Sequence, residues 1–368
     1  MLFFWILIGS LLLFLLQRVL YTKYWDRGLR IEFRFTENAV NEGEIAGVLE
    51  RSENRKRLPL PSFEYRYVVK RNYTVSQEGW DTAMTVRRKM ALPIRRAVTN
   101  RARIEGLTRG VYSIDEITLA ASDLFRTRRM ESSVSCRSGM TVYPAKIPAE
   151  KLSLTVRLLM GSVLTRRMAQ EDPFALKGIR PYEIYDSPKL INWKASARTG
   201  ELKVNQFEYT TDEALLFLLD MGCGEEEDRE EMLRLASSLS LLFLRRGVSV
   251  SLLANGRNCV NGLPLRVLPG AGVGHQITVD EALAHVNLAH PATEPFGSFL
   301  SGISRESLRG ALPVAISADP SGESLQAFEA APGTKGGYFL SVHGKGRDQA
   351  GSGITVINWD GAEGEAVL

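Results

Sequence analysis

Between Arg180 and Glu208 the chain gathers Tyr182, Asp186, Lys189, Trp193 and Arg198, a set of side chains that could polarise a bond or lock together as ion pairs. The set offers no nucleophile beside a base, the pairing that acyl or phosphoryl transfer needs, so it predicts a salt-bridged structural clamp rather than a catalytic constellation. The four histidines, His275, His285, His290 and His343, show no HExxH or other metal spacing and are read as isolated polar or capping residues. Cys136, Cys223 and Cys259 are odd in number and far apart, with no CxxC pair, which argues against a disulfide framework and suits a reducing compartment. The glycines Gly270, Gly272 and Gly274 lack the following Lys-Ser or Lys-Thr of a phosphate-binding loop and follow no strong strand, so a surface loop is predicted. No cofactor is expected.

Charge is local rather than global. The net charge is +4, from 46 basic and 42 acidic residues, so neither the bulk charge nor its sign points to nucleic acid. Basic clusters lie at Arg55-Lys56-Arg57, Arg87-Arg88-Lys89 and from Arg126 to Arg129. Near a membrane they could face anionic headgroups, and interleaved with strand residues they read as a solvated sheet face. The acidic run from Glu225 to Glu231 falls where a helix should begin, and carboxylates are stabilised there by the helix dipole. Glu225, Glu226 and Glu227 are read as a solvated helix start, with a docking surface as the competing use.

The elements that must position these residues start with a membrane segment. Leu2 to Leu16 is uncharged and almost wholly apolar, and Val19 to Tyr21 extend it toward the ~20 residues a spanning helix needs. No basic residue precedes the run and no small-x-small site follows it, which favours an uncleaved anchor over a signal peptide. Arg18, Lys23, Arg27 and Arg30 follow the run, so the positive-inside rule predicts a single-pass protein with the bulk of the chain in the cytoplasm. Tyr21, Tyr24 and Trp25 are then expected at headgroup level.

From Ile31 the pattern changes to period two. Ile31, Phe33 and Phe35, then Tyr65, Tyr67 and Val69, then Val111 to Leu119 alternate with polar residues between turn glycines and prolines, which predicts an antiparallel β-sandwich or barrel over 28–145. Residues 149–177 read as a connection with a short helix. The remainder alternates types: a buried strand from Ala214 to Leu219, a helix from Glu230 to Arg246, a strand from Val248 to Ala254, a helix from Asp280 to Val286, a strand from Ala311 to Ala318, a helix from Glu323 to Ala330 and a strand from Tyr338 to Val342. That alternation predicts an α/β domain with a largely parallel sheet covered on both faces. Within 174–208, Asp186 or Ser187 can cap a helix that starts at Pro188, carries Leu190, Trp193 and Ala197 on one face and ends at Gly200. Truncating Trp193 to alanine is then expected to open a core cavity costing about 3 kcal/mol.

This segment resembles the signature of the domain of unknown function 58 family, through Arg180, Tyr182, Asp186, Ile191, Trp193, Ala197, Arg198, Leu202, Val204 and Glu208. Tyr185 stands where the family has glycine, and Lys189 where it has arginine. The upstream stretch Arg109 to Phe125 is similar to the family's β module. The resemblance implies a von Willebrand factor A-like doubly wound sheet in 146–368, after a β-sandwich-like module at 28–145 and an anchor at 1–25. Domains of that fold commonly hold magnesium through Asp-x-Ser-x-Ser, but here Asp220 is followed by Gly222 and Gly224, a degenerate set with both hydroxyls missing, and no metal is expected. The resemblance also implies a membrane-anchored, non-enzymatic interaction scaffold that works with a MoxR-type AAA+ ATPase, with its partner surface around Asp220 and the strand ends. The alternative is a metal-assisted hydrolase using Asp186 or Asp220.

Overall fold

The computed structural model describes residues 2–72, 80–169, 171–183, 188–209, 214–287, 292, 294–303, 311–319, 321–342 and 353–359. Their packing divides into two compact units. The first comprises residues 1–146, 256–265 and 280–293, and the second 147–255, 266–279 and 294–368.

Helix α1 (Leu2–Tyr24) opens the first unit and is long and apolar enough to cross a membrane. Its last turn is not a headgroup anchor of the expected kind. Tyr21 and Trp25 are buried in the core of the β module, and the Tyr21 hydroxyl donates to the Pro59 carbonyl at 2.8 Å. Only Tyr24 stays exposed, with Lys23 and Arg27 against its ring. The reason is the short step of four residues from α1 to β1 (Leu29–Phe35), which draws the end of the helix onto the strands.

The module pairs two sheets. One has the order β1-β3-β6, with β3 spanning Ala46–Asn54 and β6 Ala97–Ile104. The other has the order β2-β8-β7-β4-β5, from β2 (Ala39–Asn41), β8 (Arg129–Tyr143), β7 (Gly110–Ser122), β4 (Leu60–Asn72) and β5 (Trp80–Leu92). Pairing is antiparallel except between β2 and β8, which run parallel, so the expected wholly antiparallel module is corrected at that edge. The period-two pattern holds where it was clearest. Phe33 on β1 packs edge-on against Tyr65 and Tyr67 of β4, with ring centroids 4.8 and 5.3 Å away, and so joins the two sheets. Glu50 on β3 lies buried between them and accepts from both tyrosine hydroxyls, with Arg88 3.3 Å away. Arg87 and Lys89 pair with the buried Glu64, so the cluster at 87–89 is engaged with carboxylates as well as with water.

Two elements of the 149–177 stretch exceed the expected short helix. Helix α2 covers Ser153–Ala169, and β9 (Glu171–Pro181) pairs antiparallel with β10 (Lys203–Tyr209). A six-stranded sheet follows, in the order β13-β12-β11-β14-β15-β16. Its strands are β11 (Ala214–Leu219), β12 (Ser249–Arg257), β13 (Pro264–Gly270), β14 (Ala311–Ser317), β15 (Tyr338–Val342) and β16 (Thr355–Trp359). The pairs β11–β12, β11–β14, β14–β15 and β15–β16 are parallel, as continuous apolar runs buried on both faces require. The helices are α4 (Glu226–Leu244), α5 (Val273–Ala284), α6 (Phe296–Gly302) and α7 (Glu323–Ala330), while α3 belongs to the site below. β13, α6 and β16 had no counterpart in the sequence reading.

Because β13 ends at Gly270 and α5 begins at Val273, the glycine cluster is a strand-to-helix turn rather than a free loop. A Cβ at Gly270 would overlap the His275 ring, so glycine lets that ring lie against the turn. The carbonyls of Leu283, Ala284 and Val286, at and just beyond the end of α5, accept from the buried Arg109 guanidinium at 2.9, 2.9 and 3.4 Å.

Candidate functional site

Chain order reverses between β11 and β14, and in an open parallel sheet that reversal opens a crevice at the carboxyl ends of the strands. Asp220 stands there, directly after β11, and is 1% exposed. A buried carboxylate persists only when its lone pairs are filled, and four donors converge on it. Gly222 N–H and Asn255 Nδ2 each reach Oδ1 at 3.1 Å, while the hydroxyls of Ser317 and Ser324 reach Oδ2 at 3.0 and 2.6 Å. Asn255 comes from β12, Ser317 ends β14 and Ser324 opens α7, so four chain segments are tied to one carboxylate.

Neighbouring groups are fixed in the same way. Asp319 accepts from the Ser321 amide and hydroxyl and from the Ser324 amide; burial raises its pKa, but these donors outweigh it and hold the group below its usual value. Burial first, and then the Asp220 charge, push the Cys223 thiol up to about 11, which keeps it protonated and weakly nucleophilic at neutral pH. Gly224, with φ of 75°, admits no Cβ, since one would sit 2.8 Å from Ala318 Cβ and Asp228 Cβ. The hydroxyls missing at positions 222 and 224 are thus replaced from across the crevice, and they donate to Asp220. Among the described residues no three His, Cys, Asp or Glu side chains converge on a metal-sized space. With all of its acceptor positions engaged, Asp220 does not fit the magnesium site that the resemblance implies.

Asp220 is therefore no partner surface, contrary to expectation. Glu225, Glu226 and Glu227 are exposed, at the start of α4, where Glu225 and Asp228 form a reciprocal capping box. They provide the acidic edge of this region.

The signature segment departs further from its reading. Pro188–Leu190 is a single 3-10 turn, and α3 starts only at Trp193 and runs to Thr199, ending at Gly200 as expected. The helix restarts because Ile191 bridges Val204 and the Asn192 amide donates to the Lys203 carbonyl at 2.8 Å, so both residues are held extended. Asn192 then becomes the N-cap, with its side chain accepting from the Ala195 amide at 2.9 Å. The buried Ser196 hydroxyl donates to the Asn192 carbonyl and accepts from the Lys203 amide, both at 2.9 Å, and Asn192 Nδ2 donates to Asn205 at 2.6 Å. Asn192, Ser196, Lys203 and Asn205 are the clamp. The sequence reading missed them, although Asn192, three residues before Ala195, is a readable cap signal.

Of the residues named for that role, Arg180, Tyr182, Lys189 and Arg198 lie around the same strand pair and α3. Arg180 lies on β9 opposite Val204, the Tyr182 amide bonds the Leu202 carbonyl, and Lys189 is exposed in the 3-10 turn. Asp186 falls outside the described residues, as does the side chain of Glu208 on β10. Trp193, read as a core residue, is 69% exposed, because the shortened helix puts it at the first position instead of on the inward face. Close by, a cleft of about 340 Å³ is lined by Ile179, Asn192, Lys194, Ala195, Arg198 and Lys203.

Residues 178–317 match the family described as "Protein of unknown function DUF58". No curated protein matches the chain. Among solved structures, the C-terminal domain of wzt is similar over 32% of this chain and 75% of its own, at 8% identity and a TM-score of 0.26. The CARDB domain of a Pyrococcus furiosus protein, solved with di-metal ions, covers 29% and 91%, at 13% identity and a TM-score of 0.19. Spo0M, a sporulation control protein of Bacillus subtilis, covers 42% and 58%, at 10% identity and a TM-score of 0.22. At these TM-scores they assign neither fold nor function to the chain.

Proposed function

We infer, from a region at 178–317 that falls in the domain of unknown function 58 family, that the chain is a membrane-anchored protein-interaction scaffold rather than an enzyme. The observation that carries this reading is Trp193, a large aromatic held on the surface at the start of α3, whose Lys194 and Arg198 line the adjoining cleft. Exposed tryptophan is enriched at interface hot spots, and the Lys194, Arg198 and Lys203 side chains of the cleft favour an acidic partner face. The parallel strand order and the strand-end Asp220 support a von Willebrand factor A-like platform, and the resemblance makes a MoxR-type AAA+ ATPase the partner to test. Metal-assisted hydrolysis finds no support at Asp220, whose acceptor positions are filled.

Full-length protein purified from native membranes is expected to bring down an AAA+ ATPase. Trp193→Ala should lose that partner, since hot-spot truncation weakens binding by about 2 kcal/mol or more, roughly thirtyfold. The denaturant midpoint should stay within about 0.5 kcal/mol of wild type. A stability loss near the cavity value would return Trp193 to a core role, and undiminished capture would place the partner surface elsewhere.

Arg18, Lys23, Arg27 and Arg30 directly after the apolar run support a cytoplasmic location for the bulk of the chain. A C-terminal reporter active only outside the cytoplasm is expected to stay silent, and strong activity would reverse the topology.

A further inference from the structure

Three loops of the β module lie at one end of its larger sheet. Leu60, at the start of β4, pairs with Leu92, at the end of β5, and Phe63 pairs with Ala121, near the end of β7. Loops 55–59, 93–96 and 123–128 therefore leave the sheet on the same side, and the buried Asn54 side chain ties the first two together through the carbonyls of Leu58, Leu92 and Pro93. The same end meets α1. Tyr21 bonds Pro59, Lys56 donates to the Trp25 carbonyl, Gln17 donates to Asp123 at 3.3 Å, and the Phe14 ring lies 5.7 Å from that of Phe125.

These loops share a composition that the scaffold reading does not use. Leu124, Phe125 and Ile94 are exposed at the loop tips. Loops 55–59, 93–96 and 123–128 hold seven arginines and lysines and one carboxylate, Asp123. That carboxylate is occupied in closing its own turn, accepting from the Thr127 and Arg128 amides. The non-glycine residues with positive φ, among those described, are Arg95 and Arg126, and each directly follows one of the exposed hydrophobes. Holding a non-glycine residue in this region is unfavourable unless the surroundings enforce it, and such positions gather at binding surfaces. A cavity of about 420 Å³ opens at this end, lined among others by Lys89, Arg126, Arg129, Ser122 and Glu64, three cations against one carboxylate. Phe125 lies beside Phe14, one helical turn before Arg18, the first charged residue to follow the apolar run, so these loops sit against the end of α1 where its basic residues begin.

We propose that this end of the β module rests on the bilayer from which α1 emerges, with Leu124, Phe125 and Ile94 inserted at the acyl boundary and the loop arginines binding anionic phospholipid headgroups. Apolar tips ringed by cations combine hydrophobic insertion with attraction to an anionic leaflet, the pairing that holds proteins at membrane interfaces. The proposal rests on α1 being a membrane anchor.

The test uses the full chain in nanodiscs of phosphatidylcholine alone or of phosphatidylcholine with phosphatidylglycerol. Trypsin cleavage after Arg126 and Arg128 is followed against cleavage after Arg245 as an internal reference. Loop cleavage should be about tenfold slower in the anionic discs, since each cation near such a surface contributes favourably. Leu124→Asp with Phe125→Asp should abolish the protection without releasing the chain from the discs, because both side chains are already exposed. Equal loop cleavage in the two bilayers, or protection restored in neutral discs by inorganic phosphate alone, overturns the proposal. A chain that alkaline carbonate extracts from native membranes overturns the anchor reading itself, so the two failures are distinguishable.

Discussion

Replacing Arg109 by alanine is expected to destabilise the protein by about 3–5 kcal/mol, because the guanidinium is 1% exposed and satisfies three backbone carbonyls at once. The carbonyls of Leu283 and Ala284 belong to the end of α5, where the helix dipole leaves partial negative charge that a buried cation offsets. Without Arg109 those carbonyls lose a buried donor, Leu283 keeping the Val286 amide at 3.3 Å, beside a void the size of an arginine side chain. Arg109→Lys should recover only part of the loss: one nitrogen, Nη1, meets all three carbonyls, but a lysine ammonium must reach the same point on a stem of different length and without the planar guanidinium. The denaturant midpoint of the detergent-solubilised full chain measures this, and an unchanged midpoint for the alanine variant would show that water reaches those carbonyls.

Asp220→Ala should be nearly as severe, on the order of 3 kcal/mol, because the donors from Gly222, Asn255, Ser317 and Ser324 would lose their shared acceptor in a buried crevice. Asp220→Asn keeps the shape and, with its oxygen toward Gly222 and Asn255 and its amide nitrogen toward the Ser317 and Ser324 hydroxyls, which can turn to accept, should rescue part of the loss. Calorimetric titration of magnesium into the wild-type protein is expected to show no saturable binding in the micromolar range, since a cation would have to displace donors already in place. Saturable binding that disappeared in Asp220→Ala would mean that the two serines turn their oxygens toward an ion, and the closed crevice would be one of two states.

Much of this was legible in sequence wherever burial is one-sided or complete. Phe33, Tyr65 and Tyr67 advertise their face by alternation, and Ala214 to Leu219 advertises a doubly covered strand by having no polar residue to expose. The turn at Gly270 is not legible because β13 is weakly patterned, with Leu265 and Val267 as its buried residues, and is an edge strand with β12 as its neighbour. The site was less readable than the fold. Asp220 was found from its place at a strand end, but Ser317 and Ser324 lie about a hundred residues further along and announce nothing locally. Trp193 was assigned to the core by helical periodicity counted from Pro188, and the backbone pairing of Ile191 and Asn192 with β10 reset that count. Local pattern does not report a long-range hydrogen bond that interrupts a helix.

The burial of Tyr21 and Trp25 among the strands leaves no slack between the apolar helix α1 and the β module. A protein on a leash samples a hemisphere above its anchor, whereas this module is mounted like a blade on a handle, and its height and facing follow those of the helix. In a thinner bilayer a helix tilts, and a rigidly mounted module must lean with it. With α1 as an anchor, the angle at which the module meets anything arriving from solution would be set in part by the lipid around it.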